Sequence, residues 1–508
     1  MWAREVAAIR VIGTGVMGRG IAQLAAASGI TVELADARPE AVGDAVSHIG
    51  AMFDKLAAKG RLDDPAAARS RLRPLDDPFA PATGCDLVVE AVREDLETKR
   101  ELFAALEKVV GDQTVLATNT SSLSVTAIGT SLNDPSRLAG LHFFNPVPLM
   151  RLVEVIAGAR TAPWIPDALT DLVRRMGHEP VRAPDTPGFL VNHAGRGLPT
   201  EALQILSEGV AEPADIDRIA RDVLGLRMGP FELMDLTGLD VSHPVLETVW
   251  SGFYGEPRLR PSPITRTRME AGLLGRKTGE GFYAYADGAK QEPPEPAPPA
   301  ADARPVWVPG AEAAALTALL DASGATVETG DAPSADAVVL VAEYGGSTLG
   351  FARREGLPVE RTLGVDPLDG FARRLVVSVH PGVEPDAGRA ALAVLAATGR
   401  PVTAVRDAPA PVAQRLLASI VNVACGIAGQ RLGRPEDVDT AVRLGLGYPR
   451  GPLEWGTEVG PDVLRGVLAR LHETTGDPRY RPNAWLVERA DLGLPLTAPG
   501  TAPADLYR

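Results

Sequence analysis

The residues best suited to acid–base chemistry are one histidine and one glutamate in the first third of the chain. His142 ends an apolar segment, and Glu154 follows twelve residues later inside a second apolar segment. A carboxylate beside an imidazole raises its basicity and fixes its orientation, as a general base that takes a hydroxyl proton requires. A core histidine with a chance acid downstream explains the same pattern, so periodicity alone leaves both interpretations open.

Short polar side chains form a second group of candidates. The segment Asn119-Thr120-Ser121-Ser122 directly follows an apolar strand, and Asn192 follows the turn at residues 187–189. The segment can either serve the chemistry or merely cap the helix that follows it. Asn192 alone is typical of a surface or cap position.

A glycine-rich turn near the start of the chain predicts a dinucleotide site. Its sequence is Gly13-Thr14-Gly15-Val16-Met17-Gly18, between a predicted strand and a predicted helix. Gly13 permits the tight turn, Gly15 lets the backbone approach a pyrophosphate, and Gly18 allows close helix–strand packing. Asp36 ends the next strand, where a carboxylate binds the adenosine ribose and repels a 2′-phosphate. We therefore expect NAD rather than NADP, although Arg38 lies nearby.

The elements that must position these residues follow an α/β pattern. Residues 6–12, 19–28 and 30–35 predict a strand, a helix and a strand, and further strands are predicted at 86–90, 114–118, 138–142 and 152–156. We predict a Rossmann-type, doubly wound α/β sheet for residues 1–184. Helical periodicity then replaces the strand pattern, which predicts a separate all-α domain at 185–287.

The pattern starts again after a segment rich in proline, alanine and glutamate, residues 288–304, which we interpret as a solvated linker. Asp407 lies 222 positions after Asp185, and Gly451 lies 222 positions after Gly229, with matching neighbours around both pairs. This repeat predicts a second, degenerate α/β domain at 305–404, a second helical domain at 405–495 and a tail at 496–508. Residues 309–312 lack the glycine spacing of the first turn, so we expect no dinucleotide there.

Composition excludes several classes of function. The formal net charge is −14, which provides no basic excess for binding nucleic acid. Two cysteines exclude a disulfide framework and favour a reducing cytoplasm. No window reaches the roughly 18 uninterrupted apolar residues of a membrane span, and the first twelve residues do not resemble a signal peptide. We predict a cytoplasmic protein without a membrane partner or a metal site.

Six motifs, taken together and in this order, resemble those of the L-3-hydroxyacyl-CoA dehydrogenases. They are GTGVMG at 13–18, EAVRE at 90–94, NTSS at 119–122, HFFNP at 142–146, DTPGFLVN at 185–192 and GRKTGEGFY at 275–283. The chain is similar to this family over residues 5–285, and residues 304–495 resemble the extra half of its fused bacterial members.

The resemblance implies NAD-dependent, reversible oxidation of an (S)-3-hydroxyacyl-CoA to a 3-oxoacyl-CoA. The 3-hydroxybutyryl and 3-hydroxyadipyl thioesters of β-oxidation and aromatic catabolism are the implied substrates. It makes His142 the general base, Glu154 its orienting partner, Ser121 a ligand of the substrate oxygen and Asn192 a ligand of the substrate carbonyl.

The resemblance also implies binding positions outside the reacting centre. Positions that match the NAD site are Glu94, Lys99, Ser121, Asn145 and Lys277. Lys59 matches a coenzyme A contact, but Met52 stands where the family has a companion serine.

The second half lacks the chemical groups of the first. Asp366 replaces His142, Val377 replaces Glu154, and Gln414 lies 222 positions after Asn192. We interpret this half as a catalytically silent copy. We expect its helices to pack on those of the first half as two subunits of a dimer do, with an independent domain as the alternative; a homodimer of whole chains also stays open.

Two rival functions fit the glycine turn. One is a non-catalytic protein of the same fold that binds NAD or coenzyme A, and the other is a different NAD enzyme with a helical second domain, acting on a sugar acid. The set His142, Glu154, Ser121 and Asn192 disfavours the first. The HFFNP segment, with no lysine at that position, disfavours the second.

Overall fold

The computed structural model describes residues 6–82, 84–310 and 312–507. The first five residues of the predicted NAD-binding domain, Ala311 of the turn 309–312 and the last residue of the predicted tail lie outside this range. The chain divides into two compact units. The first runs to His193 and also contains residues 431–446, and the second contains residues 194–430 and 447–508.

The first unit is built on an eight-stranded sheet of order β3-β2-β1-β4-β5-β6-β7-β8. Its strands are β1 (Ala8–Ile12), β2 (Thr31–Ala35), β3 (Leu72–Pro74), β4 (Leu87–Glu90), β5 (Val115–Thr118), β6 (Leu138–Phe143), β7 (Leu152–Ala157) and β8 (Glu179–Pro184). Apolar runs such as those of β4, β5 and β6 form central strands because both faces of the sheet are covered. The predicted strands and the Rossmann-type fold are confirmed.

Helices lie between the strands of this sheet. They are α1 (Val16–Ala27), α2 (Pro39–Ala58), α3 (Pro65–Ser70), α4 (Leu96–Leu106), α5 (Val125–Gly129), α6 (Ile165–Arg175) and α7 (Val191–Ala194). Neighbouring strands are parallel except β6 and β7, which are antiparallel and place His142 directly opposite Glu154. The change of direction between β6 and β7 therefore brings two residues twelve positions apart in sequence into a cross-strand pair.

The second unit begins with the predicted helices and a small hairpin. These elements are α8 (Gly197–Ser207), α9 (Pro213–Asp222), α10 (Pro230–Thr237), α11 (Leu239–Gly252), α12 (Pro263–Glu270), β9 (Ala284–Ala286) and β10 (Ala289–Gln291). β10 occupies the start of the predicted linker. Further along that segment Glu292 pairs with Arg221 at 2.8 Å, and Glu295 pairs with Arg374 at 2.8 Å. The segment 288–304 is thus held by ion pairs near its start, while most of its residues are exposed. Its role as a solvated linker stays a prediction.

A second sheet follows, of order β12-β11-β13-β14-β15-β16. Its elements are β11 (Val306–Trp307), α13 (Ala313–Ala322), β12 (Val327–Glu328), β13 (Val338–Val341), α14 (Thr348–Arg354), β14 (Thr362–Val365), β15 (Leu375–Val379), α15 (Pro385–Ala396) and β16 (Val402–Arg406). β14 and β15 are antiparallel, as β6 and β7 are. This shared reversal confirms that the fold is duplicated.

The last helices are α16 (Val412–Gly429), α17 (Pro435–Gly445), α18 (Pro452–Val459), α19 (Pro461–Thr475) and α20 (Ala484–Leu492). α16 is long and apolar enough to cross a membrane, but 89% of it is buried inside the protein, as in a core helix. α17 belongs to the first unit, although the sequence assigns it to the second half. The division by contacts therefore differs from the predicted boundaries at 184 and 405.

Candidate active site

The glycine-rich turn joins β1 to α1 with the geometry that its glycines predict. Gly13 has a φ of +92°, and a Cβ there would lie 2.5 Å from the Ala91 carbonyl oxygen. A Cβ at Gly18 would lie 1.8 Å from the Gly13 oxygen. At Gly15, by contrast, a Cβ would meet nothing within 4 Å. Gly15 is the N-cap of the twelve-residue α1, so open space borders amides that favour an anion.

Asp36 is tied directly to this turn. Its carboxylate accepts the Thr14 N–H at 2.8 Å, the Thr14 hydroxyl at 3.0 Å and the Arg38 N–H at 3.1 Å. Burial alone would raise the pKa of Asp36, but these hydrogen bonds and the Arg38 charge outweigh burial and lower it. The Arg38 side chain is exposed, with its Nε 4.0 Å from Asp36. The ionised carboxylate fits a ribose hydroxyl better than a phosphate.

His142 and Glu154 form a short buried pair. The imidazole Nδ1 lies 2.6 Å from Glu154 Oε2. Glu154 is fully buried and His142 is 5% exposed, beside the rings of Phe144 and Phe189. A carboxylate oxygen that accepts from Nδ1–H leaves Nε2 as the ring nitrogen that can accept a proton. The pairing favours a dyad over a chance acid near a core histidine, and the catalytic role of the dyad stays a prediction.

The other oxygen of Glu154 is held by backbone. Oε1 accepts the N–H groups of Leu190 and Val191, both at 2.8 Å. Helix α17 and the turn before it pack closely on this segment. A Cβ at Gly433, two residues before α17, would lie 2.9 Å from the Leu190 side chain, and one at Gly445, the last residue of α17, would lie 3.0 Å from the Val191 side chain. A helix from the second half of the sequence therefore supports the amides that orient Glu154.

The polar segment after β5 is organised around Glu94. One oxygen of Glu94 accepts the Thr120 hydroxyl at 2.6 Å and the Ser121 and Ser122 N–H groups at 2.9 and 3.0 Å. The Ser121 hydroxyl has the longest contact, 3.3 Å, so its proton is the easiest of the three hydroxyl protons to redirect toward a ligand. The cap of α5 is Ser124, outside this segment, which excludes the capping interpretation.

The remaining predicted residues occupy different places. Asn145 is exposed after β6, and Lys59 is exposed at the C-terminal end of α2. Asn192 is half-buried in α7, directly after the amides that hold Glu154, and it belongs to the first unit rather than to the helical unit. Lys277 lies in the second unit, ion-paired with Asp240.

Three residues near this site have structural roles that the sequence did not indicate. Asn119 accepts the Phe143 N–H at 2.9 Å and so fixes the backbone beside His142. Asp185 accepts the Val125 and Thr126 N–H groups at the start of α5. Glu90 is a fully buried carboxylate at the end of an apolar strand. The charge ending such a strand is the one signal that could have revealed Glu90.

Comparisons with known proteins agree with this geometry. A family model described as the 3-hydroxyacyl-CoA dehydrogenase NAD binding domain matches residues 8–186. The model of the C-terminal domain matches residues 188–285 and again 412–501. The chain belongs to the 3-hydroxyacyl-CoA dehydrogenase family. The second match of the C-terminal domain falls on the predicted repeat.

Relatives within the 3-hydroxyacyl-CoA dehydrogenase family fall into two lengths. The 3-hydroxyadipyl-CoA dehydrogenase of Escherichia coli is 37% identical and aligns over 96% of this chain and 98% of its own length. A probable 3-hydroxybutyryl-CoA dehydrogenase of Deinococcus radiodurans is 42% identical, over 54% of this chain and 99% of its own. A solved E. coli 3-hydroxybutyryl-CoA dehydrogenase superimposes with a TM-score of 0.85 at 36% identity, covering 96% of this chain and 99% of its own.

The family's dyad is replaced in the second half. Asp366 N–H donates to the Val376 carbonyl at 3.0 Å, and the register of β14 and β15 places these two residues opposite each other. Val376, rather than the predicted Val377, is therefore the counterpart of Glu154. An aspartate facing a valine cannot form an acid–base pair.

Gln414 hydrogen-bonds to Asp366 and to two backbone groups near it. Its Oε1 accepts the Gly345 N–H at 2.8 Å, and its Nε2 donates to the Glu343 carbonyl at 3.1 Å and to Asp366 Oδ1 at 3.0 Å. The Gln414 amide thus contacts Asp366 in the second half, where Glu154 contacts His142 in the first.

Proposed function

We propose that this protein oxidises (S)-3-hydroxyacyl-CoA thioesters to 3-oxoacyl-CoA thioesters with NAD. The observation that carries the proposal is the 2.6 Å contact between His142 Nδ1 and Glu154 Oε2, in the same unit as the glycine-rich turn and Asp36. NAD, when bound, supplies the hydride acceptor. The protein supplies binding, orientation and a place for one proton.

The dyad accounts for the proton. His142 Nε2 takes the proton of the 3-hydroxyl during oxidation and returns it during reduction. Glu154 keeps the proton on Nδ1 and stabilises the imidazolium that forms. The two backbone amides at Glu154 Oε1 hold this carboxylate in place, so the ring does not need to reorient during the reaction.

Polar groups around the dyad could orient the substrate. We propose that Ser121 binds the 3-oxygen and that Asn192 binds the thioester carbonyl. Gly13, Gly15, Val16, Met17, Gly18 and Asp36, with Glu94, Lys99, Asn145 and Lys277, stay our predictions for the NAD site. The exposed Lys59 stays our prediction for a coenzyme A contact. A cytoplasmic location also stays a prediction.

The substrate class is narrowed by the relatives. One full-length relative is named for 3-hydroxyadipyl-CoA and a solved one for 3-hydroxybutyryl-CoA, so we propose an acyl chain of this size. The test is kcat/KM over a panel of 3-hydroxyacyl-CoA thioesters with and without a terminal carboxylate. Turnover of neither class would favour the non-catalytic alternative, in which the chain only binds NAD or coenzyme A.

We further propose that the two halves form a dimer within one chain. Helices α8 and α16 are repeat counterparts, and they cross at counterpart positions. A Cβ at Gly197 would lie 2.8 Å from the carbonyl oxygen of Ser419, 222 positions later. Contact between equivalent positions is how two-fold dimers pack. Arg415 of α16 adds buried ion pairs to Glu201 and Glu208 of α8, at 2.7 and 2.6 Å.

Truncation tests this arrangement. Removing residues 304–508 takes away α16 and α17, and with α17 the packing on Leu190 and Val191. We expect the remaining chain to aggregate or to pair with a second copy in light scattering. A well-folded and fully active monomer would contradict the internal dimer.

A further inference from the structure

The polar segment that carries Ser121 is held at both ends by carboxylates. At one end, the Thr118 hydroxyl donates to Glu90 Oε2 at 2.7 Å. At the other end, Glu94 accepts the N–H groups of Ser121 and Ser122. The five residues 118–122 therefore depend on two acidic side chains that come from the end of β4 and from the loop after it.

Lys99 joins the two carboxylates. Its ammonium nitrogen lies 2.6 Å from Glu90 Oε1 and 3.3 Å from Glu94 Oε2. Lys99 and Glu90 are 1% and 0% exposed. A buried ammonium group is retained only beside compensating charge, so Lys99 stays beside Glu90. Lys99 acts on the Ser121 segment through Glu94.

The charges of Glu90, Lys99 and Glu94 depend on one another, so replacing any one of these residues changes the electrostatic balance of the cluster. Two carboxylates and one ammonium group leave one net negative charge. Burial alone would raise the pKa of Glu94. The Thr120 hydroxyl, the Lys99 charge and the hydrogen bonds from Ser121 and Ser122 outweigh burial, so the pKa of Glu94 is lowered. Glu94 therefore stays ionised and keeps accepting from the Ser121 segment.

The silent half provides an internal comparison. Asp407 accepts the Thr348 and Leu349 N–H groups, just as Asp185 accepts those of Val125 and Thr126. Aligned on that shared contact, Val341 replaces Thr118 and cannot donate a hydrogen bond. In the described part of the second sheet, the single strand β13 lies between β11 and β14 and pairs with both. In the first sheet, two strands, β4 and β5, lie at the corresponding place between β1 and β6. The second half thus keeps the aspartate contact, but Val341 cannot make the hydrogen bond that Thr118 donates to Glu90.

We propose that Glu90 is a positioning residue for the reaction, acting through Lys99 and Glu94 to fix the segment that carries Ser121. Glu90 touches neither reactant; it holds Thr118 directly and sets the place of the ammonium group that holds Glu94. The proposal rests on the proposed function, because Ser121 is taken to bind the substrate oxygen.

The test compares Glu90→Gln, Lys99→Met and the double variant in the full-length protein. The single changes alter the net charge of the cluster in opposite directions, and the double variant restores it. We expect each single change to lower kcat about ten- to a hundredfold, the scale of a misplaced reacting group. The double variant should recover at least about tenfold over Lys99→Met. If kcat of the double variant falls by the product of the two factors lost in the single variants, the proposal is overturned.

Two controls separate positioning from general stability. Glu33→Gln breaks the ion pair of the buried Arg10, 2.7 Å apart, on β1 and β2, and should lower the melting temperature without lowering kcat. Glu97→Gln makes the same chemical change on the exposed surface of α4 and should alter neither. An equal loss of kcat in Glu33→Gln would overturn the proposal.

A second readout does not require catalysis. Amide hydrogen exchange at Ser121 and Ser122 reports the bonds to Glu94 and should be faster in Glu90→Gln than in wild type and Glu33→Gln. If wild type turns over no 3-oxoacyl-CoA, the proposed function fails while this readout still tests the cluster. Should neither charge variant fold, Thr118→Val should speed this exchange and lower kcat, and Thr118→Ser should not. Equal exchange rates and equal kcat values in Thr118→Val and Thr118→Ser would overturn the proposal.

Discussion

Replacing Asp366 by asparagine should stabilise the protein above neutral pH. Asp366 is buried, with Oδ1 accepting from Gln414 and Leu368 and with Oδ2 unpartnered. Burial, with a smaller contribution from the Asp369 charge, raises its pKa from 3.8 to about 6, although the hydrogen bonds lower it. The unfolded chain gives up this proton near pH 4, whereas the folded chain keeps it until about pH 6.

The magnitude follows from that difference. Between those two pH values the folded state binds more protons than the unfolded state, so wild-type stability falls as pH rises. A shift of about two pKa units corresponds to about 3 kcal/mol. Asparagine imitates the protonated acid and does not titrate. The variant should therefore match wild type near pH 4 and exceed it by about 2–3 kcal/mol at pH 8.

Urea unfolding from pH 4 to pH 8 measures this difference. Asp331→Asn, at an exposed position of the same half, is the matched control and should follow wild type throughout. Since we interpret the second half as a catalytically silent copy, we also expect Asp366→Asn to leave kcat unchanged. A pH-independent difference would refute the titration of Asp366, and a loss of kcat with intact folding would refute the silence of this half.

Three further outcomes follow from the contacts. Glu154→Gln keeps an acceptor for Leu190 and Val191 but loses the charge, so kcat should fall about 10²–10⁴-fold in steady-state assays, with KM for NAD little changed. Asp36→Ala should shift the ratio of kcat/KM for NADPH over NADH upward about 10–100-fold; an unchanged ratio would exclude Asp36 as the ribose ligand. Arg415→Met leaves the fully buried Glu201 without its main cation, so the unfolding free energy in urea should fall about 3–5 kcal/mol; adding Glu201→Gln should restore part of it.

Much of the fold was predictable because its signals are local. The βαβ unit shows as an apolar run, glycines at a fixed spacing and a second apolar run that ends at Asp36. The repeat shows as a constant spacing between Asp185 and Asp407. Within the two large sheets, the strands β3, β8, β12, β14 and β16 were missed. Strands β3 and β12 have only three and two residues, which is too few for a periodic pattern.

The residue types of the site were predictable from the sequence, whereas the contacts that hold these residues in place were less predictable. His142 and Glu154 were identified, and the register of β6 and β7 explains why they meet. The packing of α17 on Val191 was not predictable, because residues more than 240 positions apart give no shared local pattern. Val376 was missed by one position as the counterpart of Glu154, since only strand register distinguishes it from Val377.

The central claim is that His142 exchanges a proton with a 3-oxygen while NAD carries the hydride. Its most direct test is to mix the protein with acetoacetyl-CoA and NADH and to follow the nicotinamide absorbance, for wild type and for His142→Ala. We expect NADH oxidation by wild type and its loss in the variant, with NADH binding retained. Absence of turnover with both NADH and NADPH, or undiminished activity of His142→Ala, would contradict the account.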